Sequence, residues 1–357
     1  MNGNGNQVSG DTLRRRILSL PTLLALGVGG ALLAIVLWRV LDFNWSELWE
    51  NIRGVNVLLY LSAVVVYYIS FWFRGLRWRL IAITANTDGQ DGKTIPGPTK
   101  MGGMILMGWF ANSVAFLRLG DALRGWSLHR ESNSSFSASL GTVLAERVQD
   151  MVAVLLLVFA AAVLVTVSGD AKVPGIVLAA AVALVLILAA ALLAMRFYGM
   201  RVSGFLPGRL RKAYQQFQDG TLGSFKGSQI PVQLVLGIIG WMLEIARFYF
   251  VSQSLGLDIS FGIVMFAALA NAMLTTIPTP GGFGFVEGGL TGLLVLLGVG
   301  HTDAFTLTVV DRSISWLSVV LTGGALFAVW QSIGNRQRKS AGAGVKAPTA
   351  SSEPETQ

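Results

Sequence analysis

The chain contains no cysteine and only two histidines among its 357 residues. Disulfides, thiolate catalysis and cysteine-based metal sites are therefore excluded. The histidines, His129 and His301, do not form an HExxH-type pair, and no GxxxxGK[ST] phosphate-binding loop is present. We accordingly expect no catalytic residue, no metal and no cofactor, and any transport would be passive or coupled to protons or voltage.

Charged residues are also scarce. They make up 13% of the chain, whereas soluble domains carry about 25%. Hydrophobic residues reach 53%, the mean hydropathy is +0.61, and several apolar runs exceed the roughly 18 residues that indicate a spanning helix. The alternating segments of about 10 residues that are typical of a transmembrane barrel are missing. The sequence therefore predicts an all-α polytopic membrane protein with little room for a soluble catalytic domain.

The net charge of +8 has a simple explanation in a membrane protein. Lys and Arg accumulate on cytoplasmic loops, where they face anionic lipid head groups, so we expect no nucleic-acid partner. Basic residues at 14–16 precede a first span at about 17–39, and Arg336, Arg338 and Lys339 follow the last span. We therefore expect an inner (cytoplasmic) cell-membrane protein with both termini in the cytoplasm.

The chain divides into two tails and one membrane domain. We predict a disordered tail at 1–13, a single membrane domain at 14–333 and a disordered tail at 334–357. Six full spans are expected at about 17–39, 56–74, 137–167, 174–195, 231–253 and 303–331. Two further apolar segments, 101–130 and 260–299, are interrupted, and we interpret each as a re-entrant broken-helix hairpin that enters the membrane and returns.

The stretch TTIPTPGGFGFVEGG at 275–289 interrupts the second of these segments. Pro278 and Pro280 prevent a helix from continuing. The glycines that follow offer backbone N–H groups that could hold an anionic head group at the start of the next helix. These glycines are Gly281, Gly282 and Gly284. The alternative is that the break is only a packed hairpin corner.

Two parts of the membrane domain, at about 56–167 and 231–331, share an order of features. Each has an arginine near the end of its first span (Arg74 and Arg247), then a break with an acid, then an acid–arginine pair inside a helix. The positive-inside rule orients the two units oppositely. We therefore predict an inverted repeat, which is a recurrent design of transporters.

The acid and the arginine of each unit are also similarly spaced. Asp121 precedes Arg147 by 26 positions, and Glu287 precedes Arg312 by 25. This order suggests that the two breaks bring basic side chains and bare peptide groups to one shared pocket.

Charged residues inside the spans need partners, because an arginine or aspartate at the centre of a membrane helix costs roughly 2.5–3.5 kcal/mol. Glu146 and Asp150 are one helical turn apart and share a face. Arg147 points elsewhere, so we expect it and Glu146 to pair across the units with Asp311 and Arg312.

For Arg147 and Arg312 we favour phosphate binding, since a guanidinium forks onto phosphate oxygens. For Glu146, Asp150 and Asp311 the alternative is a structural lattice of ion pairs. Four further arginines have a second interpretation, as anchors that snorkel to the membrane interface. These are Arg74, Arg77, Arg118 and Arg124.

The predicted site residues fall into three groups. Those assigned to a lipid phosphate are Arg118, Arg124, Arg147, Arg312, Gly281, Gly282 and Gly284. The buried acids that would hold the arginines or couple transport to an ion are Asp121, Glu146, Asp150, Glu287 and Asp311. A secondary group consists of Arg74, Arg77, Glu244 and Arg247.

Five motifs, in order, resemble those of a known family: FRGLRWRL, NSVAFLRLGDALRGWSL, LAERVQDM, IPTPGGFGFVEGGL and VVDRSISW. The family is the lysylphosphatidylglycerol synthase/flippase transmembrane region, also called UPF0104. Its first break usually carries a Pro-x-x-x-Gly-Glu-type motif, whereas here Phe116 stands in place of the proline and Asp121 in place of the glutamate. The resemblance implies a stand-alone lipid translocase domain without the soluble aminoacyltransferase domain of larger members.

The resemblance and the charges together indicate an integral membrane lipid translocase that moves a phosphate-bearing lipid or glycolipid by alternating access. Its partners would be membrane lipids, with a second copy of the chain or a separate lipid-modifying enzyme also open. Two alternatives remain, namely a secondary transporter of a small anionic solute and a non-catalytic membrane subunit of a lipid-modifying system.

Overall fold

A computed structural model describes most of the membrane domain. The described residues are 45–85, 95–115, 118–132, 134–169, 172, 174–275, 282 and 284–343. Within them every regular element is a helix. The predicted first span at 17–39 and the N-terminal tail lie outside the described residues, as do Pro278, Pro280 and Gly281.

Twelve α-helices and one π-helical turn follow one another along these residues. They are α1 (Trp45–Arg53), α2 (Val57–Thr84), α3 (Pro98–Val114), α4 (Leu119–Ser132), α5 (Phe136–Ser168), α6 (Gly175–Gly204), α7 (Gly208–Gly223), α8 (Ile230–Ser254), α9 (Phe261–Leu274), α10 (Phe285–Leu296), α11 (His301–Arg312), a π-helical turn (Ser313–Ser318) and α12 (Val319–Ala343).

Five of the described segments are long and apolar enough to cross a membrane, by length and composition: Val57–Thr84, Phe136–Ser168, Gly175–Gly204, Ile230–Ser254 and His301–Ile333. They correspond to the five predicted spans that follow the first one, so the prediction of an all-α polytopic membrane protein is confirmed. The last of them contains the π-helical turn, a feature that often marks functional positions in helices. The inverted orientation of the two units stays a prediction.

Two boundaries differ from those predicted. Helix α2 does not end near Arg74 but continues to Thr84, and Arg74 and Arg77 pair with acids of neighbouring helices. Helix α12 continues to Ala343, so the backbone of residues 334–343 is helical where the sequence predicts a disordered tail.

Both interruptions of the apolar segments are present. Helix α3 ends at Val114 and α4 begins at Leu119. Just before α4, Arg118 adopts a left-handed φ of 52°, which is uncommon for a residue other than glycine. The Asn112 side chain spans this break, since its Oδ1 accepts a hydrogen bond from the Gly120 N–H at 2.8 Å. Between α9 and α10, Gly282 and Gly284 have φ values of 73° and 84°, which only glycine adopts readily.

The first of these hairpins is held together by close backbone approach. A Cβ added at Gly120 would lie 1.8 Å from the carbonyl oxygen of Gly108 on α3, and one added at Gly75 on α2 would lie 2.5 Å from the backbone nitrogen of Gly102. Small residues of this kind let membrane helices pack backbone to backbone. The α3–α4 hairpin is therefore fitted tightly between its neighbours.

The most extensive helix contact joins the two predicted units. Helix α2 of the first unit packs along α8 of the second, while α12 of the second unit packs on α3 of the first. Large side chains such as Tyr67, Trp78 and Phe248 are fully buried in this interior. Helix α6, by contrast, is largely exposed along its apolar length, as expected for a helix that faces lipid.

We expect Gly120→Ala to destabilise the hairpin, because the new methyl group would collide with the Gly108 carbonyl and force the helices apart. Overpacking of this kind costs about 1–3 kcal/mol. A thermal melt of the purified protein in detergent should show a lower midpoint. Gly97→Ala is the matched control, since a Cβ there meets nothing within 4 Å. Equal midpoints for the two variants would contradict the tight fit.

Candidate functional site

Helices α2, α4 and α5 are joined by a buried lattice of charges. The Arg77 guanidinium donates from Nη1 to Asp150 Oδ1 at 2.8 Å, and its Nη2 lies 3.5 Å from Glu146 Oε1. Arg124 from α4 also pairs with Glu146. The prediction that Glu146 and Asp150 share a helical face is confirmed, since both acids contact the same arginine.

A second buried lattice joins α2 to α8 and α11. Arg74 donates to Glu244 at 3.1 Å, Arg247 donates to the other oxygen of Glu244 at 3.1 Å, and Arg247 also pairs with Asp311. The Ser315 hydroxyl donates to Asp311 Oδ2 at 3.3 Å. Arg74 and Glu244 therefore form an ionic link between the predicted units.

Tryptophan rings support the arginines of both lattices. The Arg74 guanidinium lies 5.1 Å from the ring centres of Trp109 and Trp241, and Arg124 lies 4.5 Å from the ring centre of Trp78. Cation–π contacts of this kind stabilise a guanidinium where water is excluded. These tryptophans pack against the buried arginines.

The interpretation of Arg74, Arg77 and Arg124 as interfacial anchors is wrong. Their side chains are at most 5% exposed, and each pairs with a carboxylate from another helix. At this degree of burial none of the three guanidiniums is accessible to a lipid phosphate. In this conformation the three arginines bridge helices, and Glu146, Asp150 and Asp311 belong to the same frame.

A more accessible cluster lies at the break between α3 and α4. Arg147 from α5 donates from Nη2 to Asp121 Oδ1 at 2.9 Å, and Arg118 Nε lies 3.6 Å from Asp121 Oδ2. The Arg118, Asp121 and Arg147 side chains are 29%, 23% and 25% exposed. Two guanidiniums thus converge on the two oxygens of one carboxylate, at a place that can be reached from outside the protein.

A related pair lies at the second break. Arg312 donates from Nε to Glu287 Oε1 at 2.8 Å, with side-chain exposures of 11% and 9%. The other oxygen of Glu287 accepts the Gly284 N–H at 2.6 Å, an arrangement that caps the start of α10. The Arg312 guanidinium also lies over the ring of Trp316, 5.8 Å from its centre.

The predicted pairing of charges across the two units is not what the structure shows for Arg147 and Arg312. Arg147 pairs with Asp121 and Arg312 with Glu287, each within its own unit. The reason is geometric, since the helix that follows each break packs against the helix that carries the arginine.

The predicted counterpart of Arg247 also changes. Arg247 contacts the acid of the second acid–arginine pair, Asp311, and in the first unit it is Arg77, not Arg74, that contacts the corresponding Glu146. Arg74 instead bridges the two units through Glu244.

One chain of hydrogen bonds between polar side chains is not predicted from the sequence. Gln149 on α5 donates to the side-chain oxygen of Gln233 at 2.7 Å, and Gln233 donates to the Thr84 hydroxyl at 3.0 Å. A signal was available, because Gln149 lies in an apolar span one turn from Glu146, and a buried amide requires a partner.

The family is decided by comparison with known proteins. A family model described as the lysylphosphatidylglycerol synthase TM region matches residues 22–323. The chain belongs to this family. A UPF0104 membrane protein of Methanocaldococcus jannaschii is 32% identical over 224 residues, which are 62% of this chain and 94% of the relative. A UPF0104 membrane protein of Pyrococcus horikoshii is 26% identical over 331 residues, which are 84% of this chain and 94% of the relative. No solved structure matches. The resemblance noted in the sequence is confirmed.

We expect Arg77→Met to destabilise this family member strongly, because it leaves the Asp150 carboxylate buried without its arginine. Removing one partner of a buried pair costs about 3–5 kcal/mol. Lys100→Met is the matched control, since Lys100 pairs with Glu131 at 2.6 Å but is 54% exposed, and such pairs contribute about 0–1 kcal/mol. Thermal melts in detergent compare the two, and similar losses would refute a buried structural role for Arg77.

Proposed function

We propose that this integral membrane protein moves a phosphate-bearing lipid or glycolipid between the leaflets of the inner cell membrane by alternating access. The observation that carries the proposal is the cluster of Arg118, Asp121 and Arg147. Its guanidiniums are partly exposed at a helix break, whereas the arginines of the two lattices are buried.

The chemistry of the cluster suits a phosphate. Asp121 presents one carboxylate oxygen to Arg147 and the other toward Arg118. A phosphate group offers oxygens with the same bridging geometry and forms charge-assisted, bidentate hydrogen bonds to guanidinium. An incoming lipid phosphate would take the place of Asp121 between the two arginines, and Asp121 would return when the lipid leaves.

The surroundings of the cluster favour a lipid. A break in a helix at membrane depth is tolerated only where protein or water surrounds it, and the α3–α4 hairpin meets this condition by packing against α2, α5 and α12. The family takes its name from an enzyme that makes a phosphate-containing lipid. A partly exposed site lined with arginine would accept the head group while the acyl chains stay in the bilayer.

The remaining charges would act as a frame. Arg77, Arg124, Glu146 and Asp150 would hold the first unit together, and Arg74 with Glu244 would join it to the second. We place both termini in the cytoplasm on the basis of the basic residues that flank the spans.

Replacing both accessible arginines should slow transport. In liposomes that contain a fluorescent phosphatidylglycerol, the purified protein should move inner-leaflet lipid to the outer leaflet, where dithionite quenches it. The double variant Arg118→Ala, Arg147→Ala should slow this movement at least about tenfold, because each charge-assisted hydrogen bond contributes about 1.5–3 kcal/mol. Arg147→Lys should retain part of the rate, since lysine keeps the charge but loses the fork.

Lys100→Ala is the control, because it removes an exposed charge outside the cluster. An undiminished rate in the double variant, with the protein still monodisperse, would contradict the proposed site. Uptake of a soluble phosphate ester without any movement of lipid would point instead to a transporter of small anions.

A further inference from the structure

The contacts of one unit recur in the other. In each, an arginine of the first span pairs with the acid of an acid–arginine dipeptide, and the arginine of that dipeptide pairs with an acid beyond a helix break. The first set is Arg77–Glu146 with Arg147–Asp121, and the second is Arg247–Asp311 with Arg312–Glu287.

The spacing of the two sets agrees as well. The break acid precedes its arginine by 26 positions in the first set and 25 in the second, and the span arginine precedes its acid by 69 and 64 positions. In both units a residue with left-handed φ lies a few positions before the break acid, Arg118 in one and Gly284 in the other. Four charged positions, two pairings and a backbone feature thus coincide.

The two sets differ in accessibility. Arg147 and Asp121 are 25% and 23% exposed, whereas Arg312 and Glu287 are 11% and 9% exposed. Glu287 is also held by the backbone N–H of Gly284, while Asp121 is shared between two arginine side chains. The first set is therefore the more accessible of the two.

We infer that Arg312 and Glu287 form a second binding site for a phosphate head group, which opens toward the opposite leaflet when the first site closes. This inference rests on the proposed function, because it assigns the same ligand chemistry to both sites. The lipid phosphate would displace Glu287 from Arg312, as it displaces Asp121 in the first unit. Units of opposite orientation would present the two sites to opposite faces of the membrane.

A continuous set of contacts lies between the two sites. Asp150 accepts the Trp241 indole N–H at 3.2 Å, Arg74 lies over that indole ring and pairs with Glu244, and Glu244 pairs with Arg247. Asp150 shares α5 with Arg147, and Arg247 contacts Asp311, the neighbour of Arg312. A shift of one unit would therefore change the contacts of the other.

Thiol labelling tests the inference directly, because the chain has no cysteine. Ala122→Cys places a thiol beside Asp121, and Thr291→Cys places one a helical turn beyond Glu287, where Thr291 is 5% exposed. Both variants leave the two ion pairs in place. A membrane-impermeant maleimide is added to either side of proteoliposomes made of phosphatidylcholine, with or without phosphatidylglycerol.

We expect the thiol at position 122 to react several-fold faster than that at 291, from the opposite side of the membrane. Added phosphatidylglycerol should change the two rates in opposite directions. Labelling of both positions from the same side, or rates that rise and fall together, would overturn the inference.

The same vesicles separate this inference from the proposed function. Alternating labelling without transbilayer movement of lipid would refute lipid transport and support two alternating sites. Lipid movement with labelling of both thiols from one side would support lipid transport and refute two alternating sites.

Discussion

An arginine inside a membrane protein needs an acid beside it, and this constraint organises the structure. The energetic cost of a charge in hydrocarbon is met by placing each buried guanidinium against a carboxylate of another helix. Arg77 thereby joins α2 to α5, Arg124 joins α4 to α5, and Arg247 joins α8 to α11. Because an ion pair requires a defined geometry, each pairing fixes the position of one helix along the other. The helices are thus held in register by their charges while their apolar faces remain free to contact lipid.

The same chemistry has two consequences that depend on exposure. Where the pair is buried, as at Arg77, the carboxylates balance the charge of the arginine and the contact joins two helices. Where the pair lies at a helix break, as at Arg147 and Asp121, both side chains are partly exposed, and in the proposed function another anion takes the place of the acid. The proposed phosphate site and the frame of the helices would then be built from one type of contact, and the fraction of exposed surface would separate them.

Much of this arrangement follows from the sequence, and the limits are physical. The spans after the first, both helix breaks and the shared face of Glu146 and Asp150 are predicted by hydrophobic length, by Gly and Pro, and by helical periodicity. The acid with which each arginine pairs is not predicted, because it depends on which helices are in contact. Glycine pairs such as Gly75 and Gly102 determine those contacts, because they let two helix backbones approach closely. The hydropathy of the sequence does not show where such an approach occurs. For the same reason the sequence allows Arg74 and Arg77 to be interpreted as interfacial residues, although they lie in the interior.

In the proposed function the guanidiniums of Arg118 and Arg147 hold a lipid phosphate in place of Asp121. Solid-state NMR measures this directly, as dipolar coupling between phosphorus-31 of the lipid and nitrogen-15 of labelled arginine in liposomes. We expect a coupling at hydrogen-bonding distance that disappears when both arginines are replaced by lysine. A coupling that persists in that variant would come only from arginines of the membrane surface, and it would contradict phosphate binding by Arg118 and Arg147.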